Sequence, residues 1–208
     1  MTTFMRSLKR AFLLIIIAAP LAAPASAAFP EGADTFVRGI GDQAVETLKD
    51  ETLSRDQIEE RFRKIFRETF YVPAIGRFVL GKYWRQASEQ QRREFLDLFE
   101  EFIVRTYAKR FKDYTGETLQ VREARQASDT QAIVISEIVR PEAPPIKVDW
   151  RVGIPKDSQD YRVYDVTIEG ISMAVTQRSE FATVIQRRGK GVDGLLEALR
   201  EKIAELNT

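Results

Sequence analysis

The chain has 208 residues, sets 32 basic against 31 acidic side chains, and contains neither cysteine nor histidine. Without cysteine there is no disulfide framework, thiolate nucleophile or Cys-ligated metal centre. Without histidine there is no Ser-His-Asp triad, H-E-x-x-H metalloprotease helix, His-ligated haem or imidazole switch. A composition of 44% hydrophobic and 30% charged residues belongs to a folded domain rather than a disordered one, and the near-neutral charge argues against a nucleic-acid partner.

The first residues read as a leader. Arg6, Lys9 and Arg10 precede an apolar run from Ala11 to Ala19, and Ala25-Ser26-Ala27 supplies the small-x-small pattern of a signal-peptidase site. The run is shorter than the about 20 residues that a membrane-spanning helix needs, and Pro20 and Pro24 interrupt the chain directly after it. Export to the periplasm with cleavage after Ala27 is therefore expected, and no cysteine lies beyond the run to carry a lipoprotein anchor. Loss of three basic residues leaves the remainder slightly acidic. Residues 28–208 are of a size for one domain whose core needs no disulfide.

The first half of that domain, 28–116, reads as helical. Val37, Ile40, Ala44, Val45 and Leu48 recur at helical spacing, with Gly39 and Gly41 weakening the start. Ser54-Arg55-Asp56-Gln57 is a capping box and opens a helix with Ile58, Phe62, Ile65, Phe66 and Phe70 on one face. Pro73 is expected to end or kink it, followed by a short apolar segment from Ile75 to Leu80 and Gly81. Ser88-Glu89-Gln90-Gln91 is a second capping box. The long helix it starts carries Phe95, Leu98, Phe99, Phe102, Ile103, Tyr107, Phe111 and Tyr114, with Gly116 as its C-terminal cap.

The period then changes from 3.6 to 2. Strands are expected at Thr118 to Glu123, Gln131 to Arg140, Ile146 to Ile154 and Tyr161 to Glu169. In the third, Ile146, Val148, Trp150, Val152 and Ile154 share one face and Lys147, Asp149 and Arg151 the other. In the fourth, alternation groups Asp165 with Tyr161 and Val163, against Tyr164, Val166 and Ile168. Short polar connections make consecutive antiparallel hairpins, and two helices close the chain, around Glu180 to Arg188 and Val192 to Leu206. The fold class is α+β: a twisted antiparallel sheet of about four strands with helices on one face, a cone able to enclose a cavity.

Two motif matches carry no chemistry. Gly170-Ile171-Ser172-Met173-Ala174 approximates a nucleophile elbow, but no histidine serves as its base. Gly189-Lys190-Gly191-Val192-Asp193-Gly194 follows a helix rather than the strand a dinucleotide fingerprint requires, so it reads as one helix ending and another starting. Asp149 and Asp165 are the candidates for a general base in a cavity enzyme, with an ion pair to a neighbouring arginine as the plainer account of each. A third possibility is an adaptor whose apolar face takes a partner helix. Thirteen Phe, six Tyr and two Trp are more than core packing alone asks of this length, and aromatic side chains line apolar pockets rigidly.

Arg77-Phe78-Val79-Leu80-Gly81-Lys82-Tyr83-Trp84 with Gln91-Arg92-Arg93-Glu94-Phe95, the block Tyr164-Asp165-Val166-Thr167-Ile168-Glu169-Gly170-Ile171-Ser172-Met173, and Gly191-Val192-Asp193-Gly194-Leu195-Leu196 together resemble the MlaC/toluene-tolerance family of periplasmic phospholipid-binding proteins. The resemblance runs in order from about Asp34 to Leu206. It implies an NTF2-like sheet with added helices and a deep pocket for acyl chains, in a monomer with no cofactor and no metal. It also implies a shuttle between an inner-membrane ABC transporter bearing an MCE-domain protein and an outer-membrane lipoprotein–porin complex, maintaining outer-membrane lipid asymmetry. For a pocket of that kind, the helical wall is expected from Phe78, Val79, Phe95, Phe99, Phe102, Ile103 and Tyr107. The sheet wall is expected from Val148, Trp150, Val152, Tyr164, Val166 and Ile168, with Met173 at the rim, provided that this face of the sheet is the one that lines the cavity.

Overall fold

A computed structural model describes residues 31–108 and 114–206; the segment expected to be a leader, the expected cleavage position after Ala27 and Phe111 lie outside the described residues. Helix α1 (Ala33–Lys49) lays Ala33, Val37 and Ile40 against the sheet. Helix α2 (Arg55–Thr69) starts at the expected capping box: Gln57 N–H donates to Ser54 Oγ at 3.3 Å and Ser54 N–H to Gln57 Oε1 at 2.8 Å. Pro73 does not break a helix. It sits in the first turn of α3 (Val72–Leu80), where its fixed φ suits the helix and its missing N–H would have had no intrahelical partner.

A single turn, α4 (Tyr83–Gln86), leads to the second capping box, in which Ser88 and Gln91 exchange bonds of 2.9 and 3.1 Å. This opens the longest described helix, α5 (Glu89–Ala108). Gly116 does adopt a positive φ of 107°, but the residues that join it to α5 lie outside the described residues.

Five strands follow: β1 (Thr118–Ser128), β2 (Gln131–Arg140), β3 (Ala143–Gly153), β4 (Arg162–Ile168) and the short β5 (Ile171–Ser172), antiparallel and in chain order. The sheet thus has one strand more than expected, and β1 and β3 are longer, because the polar ends of these hairpins stay paired. The β3–β4 register slips between Arg151 and Val152: Arg151 faces Asp165 while Val152 faces Val163. This bulge makes Tyr164 the extra residue. It also overturns simple alternation, bringing Val163 to the covered face, fully buried beside Val152.

Helix α6 (Met173–Arg188) begins well before Glu180, immediately after β5, because Ser172 caps it by accepting from Val175 N–H at 3.1 Å. Gly189, at φ 67°, ends it with an N–H bond to Ile185 O, and α7 (Gly191–Leu206) follows at once. The glycine-rich run is therefore a helix stop and a helix start.

The helices cover one face of the open sheet, and the buried apolar residues form two bodies. One is helical, built on Val79, Leu80, Phe95, Phe99, Phe181, Leu195 and Leu196. The other joins α1 and Ile65 of α2 to Val121, Ala132, Val134, Val152 and Val163 of the sheet. Phe70 packs against both, and Tyr71 N–H bonds to Val163 O at 2.9 Å, stitching the α2–α3 junction to β4.

Candidate binding cavity

Between the two bodies lies a cavity of about 420 Å³, within the range of pockets that hold small apolar ligands. Its helical wall is periodic. Phe99, Phe102, Ile103, Thr106 and Tyr107 of α5 all face it, as a stripe at i, i+3, i+4, i+7 and i+8 must. Helix α2 adds Phe62, Phe66 and Phe70, with the last two rings stacked at 4.7 Å, and α3 adds Ile75 and Val79. The sheet contributes Trp150, Tyr164, Val166 and Ile168, and α6 contributes Met173, Ala174, Thr176, Gln177 and Glu180.

Hydrogen bonds fix the larger side chains. Trp150 Nε1–H donates to Ser136 Oγ at 3.0 Å, and that hydroxyl donates to Val148 O at 2.7 Å. Tyr164 packs edge-on to Tyr71 at 5.4 Å, and burial, with Tyr71 and Asp157 nearby, pushes its phenol above the ordinary value, so it stays neutral. Tyr107 O–H reaches Met173 Sδ at 3.9 Å across the space between α5 and α6. Asp165 also borders the cavity. One carboxylate oxygen accepts from Ser172 Oγ at 2.6 Å and the other from Ala174 N–H at 3.0 Å, so the side chain ties β4 to the first turn of α6. No arginine pairs with Asp165 or Asp149 among the described residues. Asp149 lies opposite Ile135 and Thr167, on the sheet face turned away from the helices. The Ser172 hydroxyl is engaged as a helix cap rather than offered as a nucleophile, and among the described residues no cluster of acidic side chains is arranged to hold a metal ion.

Of the wall residues expected from the sequence, Val79, Phe99, Phe102, Ile103, Tyr107, Trp150, Tyr164, Val166, Ile168 and Met173 meet at this cavity, and the face carrying Trp150 is the one that lines it. Four do not. Phe78 turns outward, 42% exposed, beneath the Arg178 guanidinium, because the buried stripe of α3 is Ile75, Gly76, Val79 and Leu80, whose centre lies on the far side of the helix from it. Phe95 is fully buried, edge-on to Phe181 in the helical core. Val148 and Val152 are on the correct sheet face but are sealed by neighbours on either side of Trp150. Phe62, Phe66, Phe70 and Ile75 also line the cavity without having been expected there: their periodicity is visible in the sequence but reads equally as core. Thr106, Thr176, Gln177 and Glu180 add polar residues to the lining that no sequence motif announces.

A helix-covered, open antiparallel sheet with an apolar chamber between the two layers defines the class as α+β. Residues 39–201 match the model of the MlaC protein family, and the chain belongs to that family. It is 26% identical over 134 residues to the intermembrane phospholipid transport system binding protein MlaC of Haemophilus influenzae, a match covering 62% of this chain and 61% of that relative. It is also similar, at 26% identity and a TM-score of 0.74, to the solved structure of a phospholipid-binding protein from Ralstonia solanacearum in complex with a phospholipid, covering 85% of this chain and 99% of that one.

Proposed function

We propose that this protein is a periplasmic phospholipid carrier that moves lipid between the inner and outer membranes and is not an enzyme. The observation that carries the reading is the apolar cavity between α5, α6 and the sheet, in a fold shared with a relative solved in complex with a phospholipid. Burying a methylene is worth about 0.8 kcal/mol, so a sixteen-carbon chain represents on the order of 10 kcal/mol of unfavourable hydration that no free lipid overcomes while crossing water. A carrier must match that apolar environment, leave the head group wet, and open at its destination.

The wall from Val79, Phe99, Phe102, Ile103, Tyr107, Trp150, Tyr164, Val166, Ile168 and Met173 is assigned to the acyl chains. Residues 1–27 are read as the export signal and 28–208 as the single lipid-binding domain. Loading and unloading are assigned to an inner-membrane MCE-domain transporter and an outer-membrane lipoprotein–porin complex. The test is mass spectrometry of organic extracts of the chain purified from its host. Stoichiometric phospholipid is expected, and its repeated absence from correctly folded protein would refute the reading.

A further inference from the structure

We propose that Glu180 selects the head group: its carboxylate, at the mouth of the cavity, favours phospholipids whose head group carries an ammonium over those whose head group is anionic. The assignment rests on the phospholipid-carrier reading above. Glu180 is on the face of α6 that borders the cavity, with Met173, Thr176 and Gln177. The other described residues of the lining are buried or half-buried, and Glu180 alone is exposed. It therefore marks where the chamber meets water, which is where a lipid with its chains inside must leave its charged head.

The charge at that opening has one sign. Among the described residues of the lining, the carboxylates Asp165 and Glu180 are present and no lysine or arginine is. Both Asp165 oxygens are engaged by Ser172 and Ala174. Glu180 accepts one bond, from Gln177 Nε2–H at 2.6 Å, and pairs with no basic side chain among the described residues. Arg178, two residues earlier on α6, is turned to the Phe78 ring of α3. By contrast, the exposed Glu89 of α5 and Glu201 and Glu205 of α7 are each ion-paired to an arginine or lysine. Every phospholipid brings a phosphate, so discrimination falls on what that phosphate bears. Ethanolamine and choline lipids add an ammonium that the Glu180 carboxylate attracts, whereas a glycerol head group adds no cation and leaves a net negative charge that it repels.

The test separates the head group from the rest of the lipid. The chain purified from its host and stripped of lipid is offered vesicles of equimolar phosphatidylethanolamine and phosphatidylglycerol with the same acyl chains, and uptake is read by native mass spectrometry. The ethanolamine-to-glycerol ratio is expected to fall about threefold from wild type to Glu180→Gln, the worth of one exposed charge pair, and further in Glu180→Lys. The difference shrinks at high salt. Asp129→Lys makes the same change of net charge in the β1–β2 turn and should leave the ratio at the wild-type value. If Glu180→Lys does not fold, Glu180→Gln against wild type supplies the comparison. A ratio unchanged in the Glu180 variants, or moved as far by Asp129→Lys, overturns the assignment while leaving the carrier reading intact. Uptake of neither lipid by wild type refutes the carrier reading, and the assignment with it.

Discussion

The indole N–H of Trp150 ends on the hydroxyl of Ser136, 3.0 Å away on the neighbouring strand, and Ser136 is wholly buried. The hydroxyl serves twice, since it also donates to Val148 O, and so the orientation of the largest ring in the sheet wall depends on one small polar side chain. Ser136→Ala leaves the indole N–H unsatisfied in the interior, at a cost of about 1–3 kcal/mol. A fall of several degrees in melting temperature is expected. In the double variant with Trp150→Phe the two losses should be clearly less than additive, which thermal melts of all four proteins would measure.

Asp165 is best understood as a strut. Its oxygens hold Ser172 and the Ala174 N–H, and the next residues of α6 form one side of the cavity. Asp165→Ala removes both contacts and an acidic group from the helix N-terminus, at about 1–2 kcal/mol. Release of a fluorescent phospholipid should quicken more than the drop in global stability accounts for, whereas Asp149→Ala, on the far face, should leave release unchanged. Stopped-flow transfer to acceptor vesicles distinguishes the two.

The α2–α5 seam is held by charge. Arg63 of α2 bonds to Glu59 on its own helix and to Glu101 of α5, and Arg105 also bonds to Glu101. Burial alone would raise the Glu101 carboxyl, but the hydrogen bonds from Arg105 and Arg63 and their positive charges outweigh it and hold it below the ordinary carboxylate value. A group depressed in the folded state contributes stability above its unfolded pKa and loses it as the pH falls through the folded one. Urea midpoints should therefore decline below about pH 4.5, and Glu101→Gln should be less stable at neutral pH with a shallower acid decline.

Filling the chamber should separate folding from cargo. Ile103→Trp projects a larger side chain into space between α5 and the sheet and is expected to cut bound phospholipid by at least tenfold while the protein remains folded. Phe78→Ala, at an outward position, should leave binding unchanged. Lipid-to-protein ratios after purification provide the comparison.

Much of this architecture is legible in the sequence because local signals agree with the tertiary ones. Both capping boxes, the α5 stripe and the alternation about Trp150 each follow from spacing alone. Pro73 is ambiguous in sequence because a proline marks a helix start as readily as an end, and only the packing of Ile75 and Val79 decides. The start of α6 is hidden because its cap depends on Asp165, seven residues earlier. The bulge at Tyr164 reassigns Val163 without any local mark, since register is settled by what each strand finds across from it. Phe95 and Phe99 lie one turn apart on one helix and both pack edge-on to Phe181 in the helical core, yet only Phe99 also reaches the cavity; nothing in the spacing of the two separates them.

The division of the interior into two apolar bodies has a mechanical corollary. A vessel hollowed out of one continuous core would lose cohesion each time it emptied, since its contents would be part of its packing. Here each body closes on itself, with Phe70 touching both and the Tyr71–Val163 bond pinning the crossing point. The chamber therefore lies between two packed bodies rather than inside one, so the packing of neither depends on what the chamber holds.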